Sequence, residues 1–320
     1  PEPKAGEALI RVVLAGICGS DIHAYYGKHP FIACPIVPGH EFVGVVEWMG
    51  DGSTELLGKR VTVLPSLVCG RCYNCRTGRF NICDALRVIG CQAPGAFAEF
   101  VVVPKDKVFP LPAGISWHQG VLVEPLAVAV HAVRRVSHIA GKNALVLGAG
   151  TIGLMTTLTL KAHGAGKIIV SDLNDQRLAF AKELGADLTV NPKKDDLGEL
   201  VKSSAGSIDV TFECVGVQST INSAIELTRK GGDIVVLGVF EDDVTVKMGL
   251  VQDKEINMLG SLMYTKEDYS EAIRLISSVP EAVKIITHRF GLGQIAEAFK
   301  HIERSSQDTV KVVIEVGVES

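Results

Sequence analysis

The sequence predicts an α/β protein in which a doubly wound parallel sheet follows a β-rich region. Three observations carry that expectation. From Asn143 onward, apolar strands alternate with helical stretches of about 10–15 residues, the pattern of parallel βαβ units. At the first of these joins stands "LVLGAGTIG", a glycine turn between strand and helix. Ahead of it, roughly 120 residues hold short β-rich segments broken by Pro35, Pro38 and several glycines, with little helical periodicity.

The elements follow in order. "EALIRVVL" (7–14), "EFVGVVE" (41–47) and the stretches 60–64 and 97–103 read as strands of the first region, rich in β-branched and apolar residues. "NALVLGAGTIGLMTTLTLKAHGA" reads as strand, turn and helix, and "KIIVSDLNDQRLAFAKELGAD" repeats the unit. "DVTFECVG", "TINSAIELTRKGG" and "DIVVLGVF" continue the alternation. The tail offers two amphipathic helices, 267–276 and 292–304, around "VKIITHRF", and closes on the strand "VKVVIEV". The expected division puts 1–124 and 265–320 in one domain and 125–264 in the other.

At 320 residues, 47% hydrophobic and 21% charged, the chain has the length and apolar content for two cores. A net charge of −4 without long runs of one sign speaks against a nucleic-acid or membrane-surface binder. The longest uncharged run, 143–160, is broken by three glycines at a turn, so no membrane segment is expected. No leader segment is visible, and a cytoplasmic location is expected.

"CGRCYNCRTGRFNIC" sets Cys69, Cys72, Cys75 and Cys83 within a polar stretch that cannot be a buried strand. Thiols of an unexported chain stay reduced, which argues against a disulfide framework. The spacing reads as a closed tetrahedral zinc site, ahead of an iron–sulfur cluster or free thiols. Four thiolates leave no position for a substrate, so this zinc is structural and the chemistry lies elsewhere.

Gly148, Gly150 and Gly153 form G-x-G-x-x-G directly after a strand and at the opening of a helix, with Thr151 and Ile152 in the turn. That context reads as a dinucleotide site, with the helix N-terminus facing the pyrophosphate. Asp172 closes the next strand, where a carboxylate accepts from the ribose hydroxyls and repels a 2′-phosphate, so NAD is expected rather than NADP. Arg177 is a candidate for packing against the adenine, or a solvated helix residue.

"GICGSDIH" and "VPGHEF" supply Cys18, Asp21, His40 and Glu41, and "VEPLAVAVHA" adds Glu124 at the border of the second domain. A catalytic zinc takes about three protein ligands and keeps one position open. Taken singly, Cys18 reads as a small core residue, His40 as a turn histidine and Glu124 as a solvated residue before Pro125. Beside a dinucleotide site, the set reads as a metal centre.

With "AFAEF", "ECVG" and "THRF", these motifs run through nearly the whole chain. In that order they resemble the zinc-dependent medium-chain dehydrogenases, in particular the polyol (sorbitol) and sugar-acid branch. The resemblance implies a β-rich GroES-like catalytic domain with a four-cysteine zinc lobe, a Rossmann domain for NAD, and a further strand ahead of Pro1. It implies two Zn2+ per chain, a catalytic one on Cys18 and His40 and a structural one on the four cysteines. Glu41 and Glu124 both remain candidates for the third catalytic ligand. Asp21 would orient His40, and Ser20 and His23 would relay the hydroxyl proton to solvent. A homotetramer or homodimer is implied as well.

The implied reaction is oxidation of a secondary hydroxyl of a polyol or sugar acid to a ketone. "GSLMYTKED" keeps the tyrosine of sorbitol dehydrogenases at Tyr264 but has Met263 in place of their arginine. Tyr25, Tyr26, Lys28, His29 and Phe31 are expected near the substrate, with Lys28 or His29 available to a carboxylate. The alternatives are a threonine-type amino-alcohol dehydrogenase and a non-catalytic NAD-binding protein.

Overall fold

The computed structural model describes residues 1–29, 31–305 and 307–317. Two compact units emerge, Pro1–Glu124 with Thr265–Ser320, and Pro125–Tyr264.

The first unit begins with β1 (Glu7–Ile17), followed by helix α1 (Gly19–Tyr25) and β2 (Glu41–Met49). Next come β3 (Arg60–Val63), β4 (Ser66–Leu67), α2 (Tyr73–Arg76), β5 (Arg87–Val88), β6 (Phe100–Pro104), β7 (Val108–Pro110) and α3 (Trp117–Gly120). β1 is the spine. It pairs with β2 along its length, with β6 over residues 7–11 and with the last strand of the chain over residues 14–17. Half-buried and buried residues alternate at its start, whereas Val12–Ile17 are all buried.

Helix α4 (Val123–Arg134) carries Pro125 in its first turn, where a missing N–H costs no hydrogen bond. The second unit then alternates as the sequence predicts. Its elements are β8 (Ala144–Leu147), α5 (Thr151–Ala162), β9 (Ile168–Ser171), α6 (Asp175–Glu183), β10 (Leu188–Val190) and α7 (Leu197–Ala205). They continue with β11 (Ile208–Glu213), α8 (Gln218–Leu227), β12 (Thr228–Val236), α9 (Met248–Asp253) and β13 (Asn257–Gly260). The six strands form one parallel sheet in the order β10-β9-β8-β11-β12-β13. The strands β8, β9 and β11 are buried almost throughout, as in a sheet covered on both faces.

The tail returns to the first unit with α10 (Lys266–Ser277), β14 (Ile286–Gly291), α11 (Ile295–Arg304) and β15 (Lys311–Glu315). β15 pairs antiparallel with β1, and β14 parallel with β15, completing a seven-stranded sheet. Ala298 and Phe299 of α11 join the core of Ile10, Val12, Phe42, Val61, Phe97 and Ile314. Tyr269 of α10 is fully buried, its hydroxyl 2.7 Å from Thr62 Oγ1 and donating to the Val63 carbonyl at 2.8 Å.

Candidate active site

Cys18 is the residue at which β1 gives way to α1; Glu41 opens β2, and His40 directly precedes it. Ligand atoms of these three side chains all lie within 4.8 Å of one another. Donors bound to one zinc at about 2.0–2.3 Å lie at most about 4.6 Å apart, so a thiol, an imidazole and a carboxylate gathered this closely need little movement to share one zinc ion. Glu124 is buried but is not part of that group. Its charge acts on Lys311 and Tyr269 instead.

The surroundings are polar and closed. Asp21 is buried, and its Oδ2 accepts the Cys18 backbone N–H at 2.9 Å, which fixes the first turn of α1. Its Oδ1 lies 3.7 Å from His40 Nδ1, and neither atom has a hydrogen-bond partner. Burial works against a charged imidazole, but the Asp21 carboxylate and the Cys18 thiol outweigh it and hold His40 well above its ordinary range. Ser20 and His23 stand three residues apart on α1, spacing that puts both on one side of the helix.

Lys311, which sequence reasoning missed, completes the site. Its ammonium forms an ion pair with Glu41 and donates to the Ile17 carbonyl at 3.0 Å. A Cβ on Gly16 would stand 2.1 Å from Glu41 Oε2, so only glycine leaves room for that carboxylate. The signal in the sequence was a lysine between Val310 and Val312, at the head of a strand whose middle is apolar. Cys91 was also missed. It is buried, and its thiol bears on the His40 imidazole.

In the second unit, Gly148 leaves β8 with φ +96, and a Cβ on Gly153 would stand 1.9 Å from the Gly148 carbonyl oxygen. These two glycines let α5 start directly against its strand, with Thr151 and Ile152 in its first turn. Asp172 caps the loop, its Oδ2 accepting Ala149 N–H at 2.6 Å and its Oδ1 accepting Asn174 N–H at 2.9 Å. Arg177 lies in the first turn of α6, where Asn174 accepts its N–H.

The four cysteines also draw together, their sulfurs within 4.8 Å of one another. Backbone N–H groups point at them: Cys69 N–H at Cys83 Sγ (3.3 Å), and Cys72, Cys75 and Ala85 N–H at Cys69, Cys72 and Cys83 (3.4 Å each). The Arg71 and Cys72 amides hold Cys69 down at about 6, while burial and the neighbouring thiols push Cys75 up to about 12. The donor set is all sulfur and closed, which fits zinc. No disulfide joins any of the eight cysteines.

Residues 151–278 match the family profile "Zinc-binding dehydrogenase", and residues 4–113 match "Alcohol dehydrogenase GroES-like domain". An L-idonate 5-dehydrogenase of Vitis vinifera is 35% identical, over 96% of this chain and 87% of its own length. The chain belongs to the zinc-dependent medium-chain dehydrogenases. Its place is in their polyol and sugar-acid branch.

Two solved dehydrogenases of similar fold bear on the cofactor. A zinc-binding dehydrogenase of Sinorhizobium meliloti, bound to NADP, is 32% identical with a TM-score of 0.89, over 98% of this chain and 93% of its own. An alcohol dehydrogenase of Escherichia coli CFT073, complexed with NADH, is 33% identical with a TM-score of 0.91 over the same shares. This dehydrogenase is an oxidoreductase acting on CH–OH with zinc and a nicotinamide cofactor. No helix among the described residues is long and apolar enough to cross a membrane.

Several of the residues expected around the substrate make contacts of their own. Tyr25 stacks on Phe299 at 4.7 Å, and Tyr26 donates to Glu303 at 2.6 Å, so both serve the packing of α11. Phe31 is 77% exposed, His29 Nδ1 accepts the Phe31 N–H, and Lys28 is exposed. Met263 takes a left-handed φ of 53, and Tyr264 is fully buried.

Proposed function

We propose that this dehydrogenase oxidises a secondary hydroxyl of a polyol or sugar acid to a ketone and passes the hydride to NAD. The grouping of Cys18, His40 and Glu41 beside the Ser20–His23 face of α1 carries this reading. Relatives acting on idonate and sorbitol support the substrate class.

Cys18, His40 and Glu41 hold the catalytic zinc, with Asp21 orienting the His40 ring. When bound, zinc supplies Lewis-acid polarisation of the substrate hydroxyl. Ser20 accepts the hydroxyl proton and His23 carries it on, as general acid–base groups within one helical turn of each other. In the second unit the Gly148–Gly153 loop and the N-terminus of α5 hold the pyrophosphate. Asp172 receives the ribose hydroxyls, its oxygens having lone pairs beyond those taken by the two backbone donors. Cys69, Cys72, Cys75 and Cys83 hold the structural zinc. The reading also includes two zinc ions per chain, a homodimer or homotetramer, and a cytoplasmic location that suits eight free thiols.

The test is wild-type turnover with NAD over a panel of polyols and aldonates, beside zinc content and turnover of Cys18→Ser. Loss of about one zinc per chain together with turnover supports the reading. A Cys18→Ser protein at wild-type turnover overturns it.

A further inference from the structure

The strand order β10-β9-β8-β11-β12-β13 reverses direction of growth between β8 and β11. In open α/β sheets a ligand binds outside the carboxyl ends of the strands at such a switch point. The Gly148–Gly153 loop leaves β8 there. The residue that ends β11, on the other side of the same switch point, is Glu213.

Glu213 is completely buried. Its Oε1 accepts three hydrogen bonds, from Val215 N–H at 3.0 Å, Gly216 N–H at 2.9 Å and Thr220 Oγ1–H at 2.6 Å. Its backbone carbonyl accepts two more, from Leu237 N–H at 2.8 Å and Gly238 N–H at 3.0 Å. One residue thus ties the turn after β11 to the turn after β12. The first of these turns is pressed onto the glycine loop: a Cβ on Gly148 would stand 2.6 Å from Val215 Cγ2, and Cys214 N–H donates to the Leu147 carbonyl at 2.9 Å. Gly238 is needed for the same reason, since a Cβ there would stand 2.5 Å from Glu213 Oε2.

Burying a carboxyl group costs free energy unless its oxygens find donors. An apolar residue would end a buried strand without that cost. Here the cost secures the position of a turn that forms one wall of the switch-point crevice, opposite the phosphate loop. We propose that Glu213 is a positioning residue for the dinucleotide. By holding Val215 against Gly148, it sets the shape of the crevice before the cofactor arrives. This rests on the dinucleotide reading of the Gly148–Gly153 loop given above.

The experiment is direct binding of NADH and NADPH by fluorescence, with steady-state kinetics, zinc content and thermal melting on the same preparations. Glu213→Ala leaves the Val215 and Gly216 N–H groups without that acceptor and frees the Thr220 hydroxyl to the Val217 carbonyl, and its Kd for the reduced cofactor is expected to rise about tenfold. The loss should fall on Kd and on KM for the cofactor rather than on kcat, at unchanged zinc content. Thr220→Val, which removes one donor, should raise Kd about threefold, and Glu213→Gln, which keeps an acceptor, should recover most of the affinity. If Glu213→Ala does not fold, the milder pair carries the test. Unaltered Kd in Thr220→Val and in whichever Glu213 variants fold, with at most a lower melting temperature, overturns the inference alone. A wild-type protein that binds neither NADH nor NADPH overturns the dinucleotide reading and this inference with it.

Discussion

Lys311 and Glu41 form an ion pair inside the first unit, each side chain only 2% exposed. Glu41 is also one of the three side chains grouped as metal donors, so a single carboxylate faces both a fixed cation and the metal position. Burial works against the Lys311 charge, but Glu41, Cys18 and Glu124 outweigh it and hold the ammonium above its ordinary range. The site therefore carries its own counter-charge before any metal binds.

Lys311→Met tests the pair. It strands a buried carboxylate and removes the donor to the Ile17 carbonyl, a combination expected to cost about 3–5 kcal/mol of stability. Urea denaturation measures it. Combining Lys311→Met with Glu41→Gln should cost less than the sum of the single changes, because the stranded charge is gone. Additive losses would mean that the two groups do not act as a pair.

That pairing also shows where the sequence ran out. The alternation of strands and helices from β8 to β13 was legible because each element carries its own periodicity, and the glycine and cysteine motifs because their spacing is local. The parallel sheet and its strand content follow that reading. Lys311 was not legible as a site residue, because it reaches Glu41 only through the pairing of β15 with β1, across almost the full length of the chain. The same holds for the contacts of Tyr25 and Tyr26 with Phe299 and Glu303 on α11, which sequence distance hides. Glu213 was visible as the first residue of "ECVG" but not as a tie between turns, since its three donors come together only in the folded chain.

The four-cysteine lobe should be separable from turnover. Its helix α2 has only four residues, with none of them buried, so little apolar surface holds it together. Metal binding there acts as folding free energy. Cys72→Ser is expected to lose about one zinc per chain and to melt at a lower temperature, while the folded fraction keeps kcat within about twofold. A fully stable variant without turnover would show that the two metal roles have been exchanged.

Acid should loosen the packing of β14 against α11. His288 and His301 lie with ring centroids 4.2 Å apart, tilted by 50°, and Phe290 sits 5.6 Å from His301. Burial first, and the His301 charge second, lower the His288 value, while Asp308 opposes them. For a histidine whose folded value lies below its unfolded value of about 6.5, the stability contribution is fully present above that pH. It is lost as the pH falls through that value towards the folded one, because the unfolded chain takes up the proton more readily. His29 and His118 shift in the same direction and add to the effect. His40, held above its ordinary range, acts in the opposite sense, so the check is a comparison: relative to the wild type, His288→Gln should lose less melting temperature between about pH 7.5 and pH 5.5. An unchanged difference in the variant would remove His288 from the account.

Asp172 is expected to set the cofactor preference, and the wild type alone gives the first check. Its carboxylate stands at the end of β9 and is held by Ala149 and Asn174 N–H, so it cannot swing away from an incoming ribose without giving up both bonds. A 2′-phosphate would meet this fixed negative charge, whereas two hydroxyls would meet an acceptor. Relatives of about equal identity have been solved with NADP and with NADH, so family membership does not decide the matter and this residue can. The expected wild-type kcat/KM favours NAD over NADP by at least about 100-fold, or about 3 kcal/mol. Leu173 is 56% exposed directly beside Asp172, which makes it the place for a counter-charge. Asp172→Ser with Leu173→Arg should bring the ratio to about unity or reverse it, at some loss of overall activity, because serine cannot replace both backbone contacts of the carboxylate. A wild-type enzyme that prefers NADP would end this account of Asp172, whatever the double variant does.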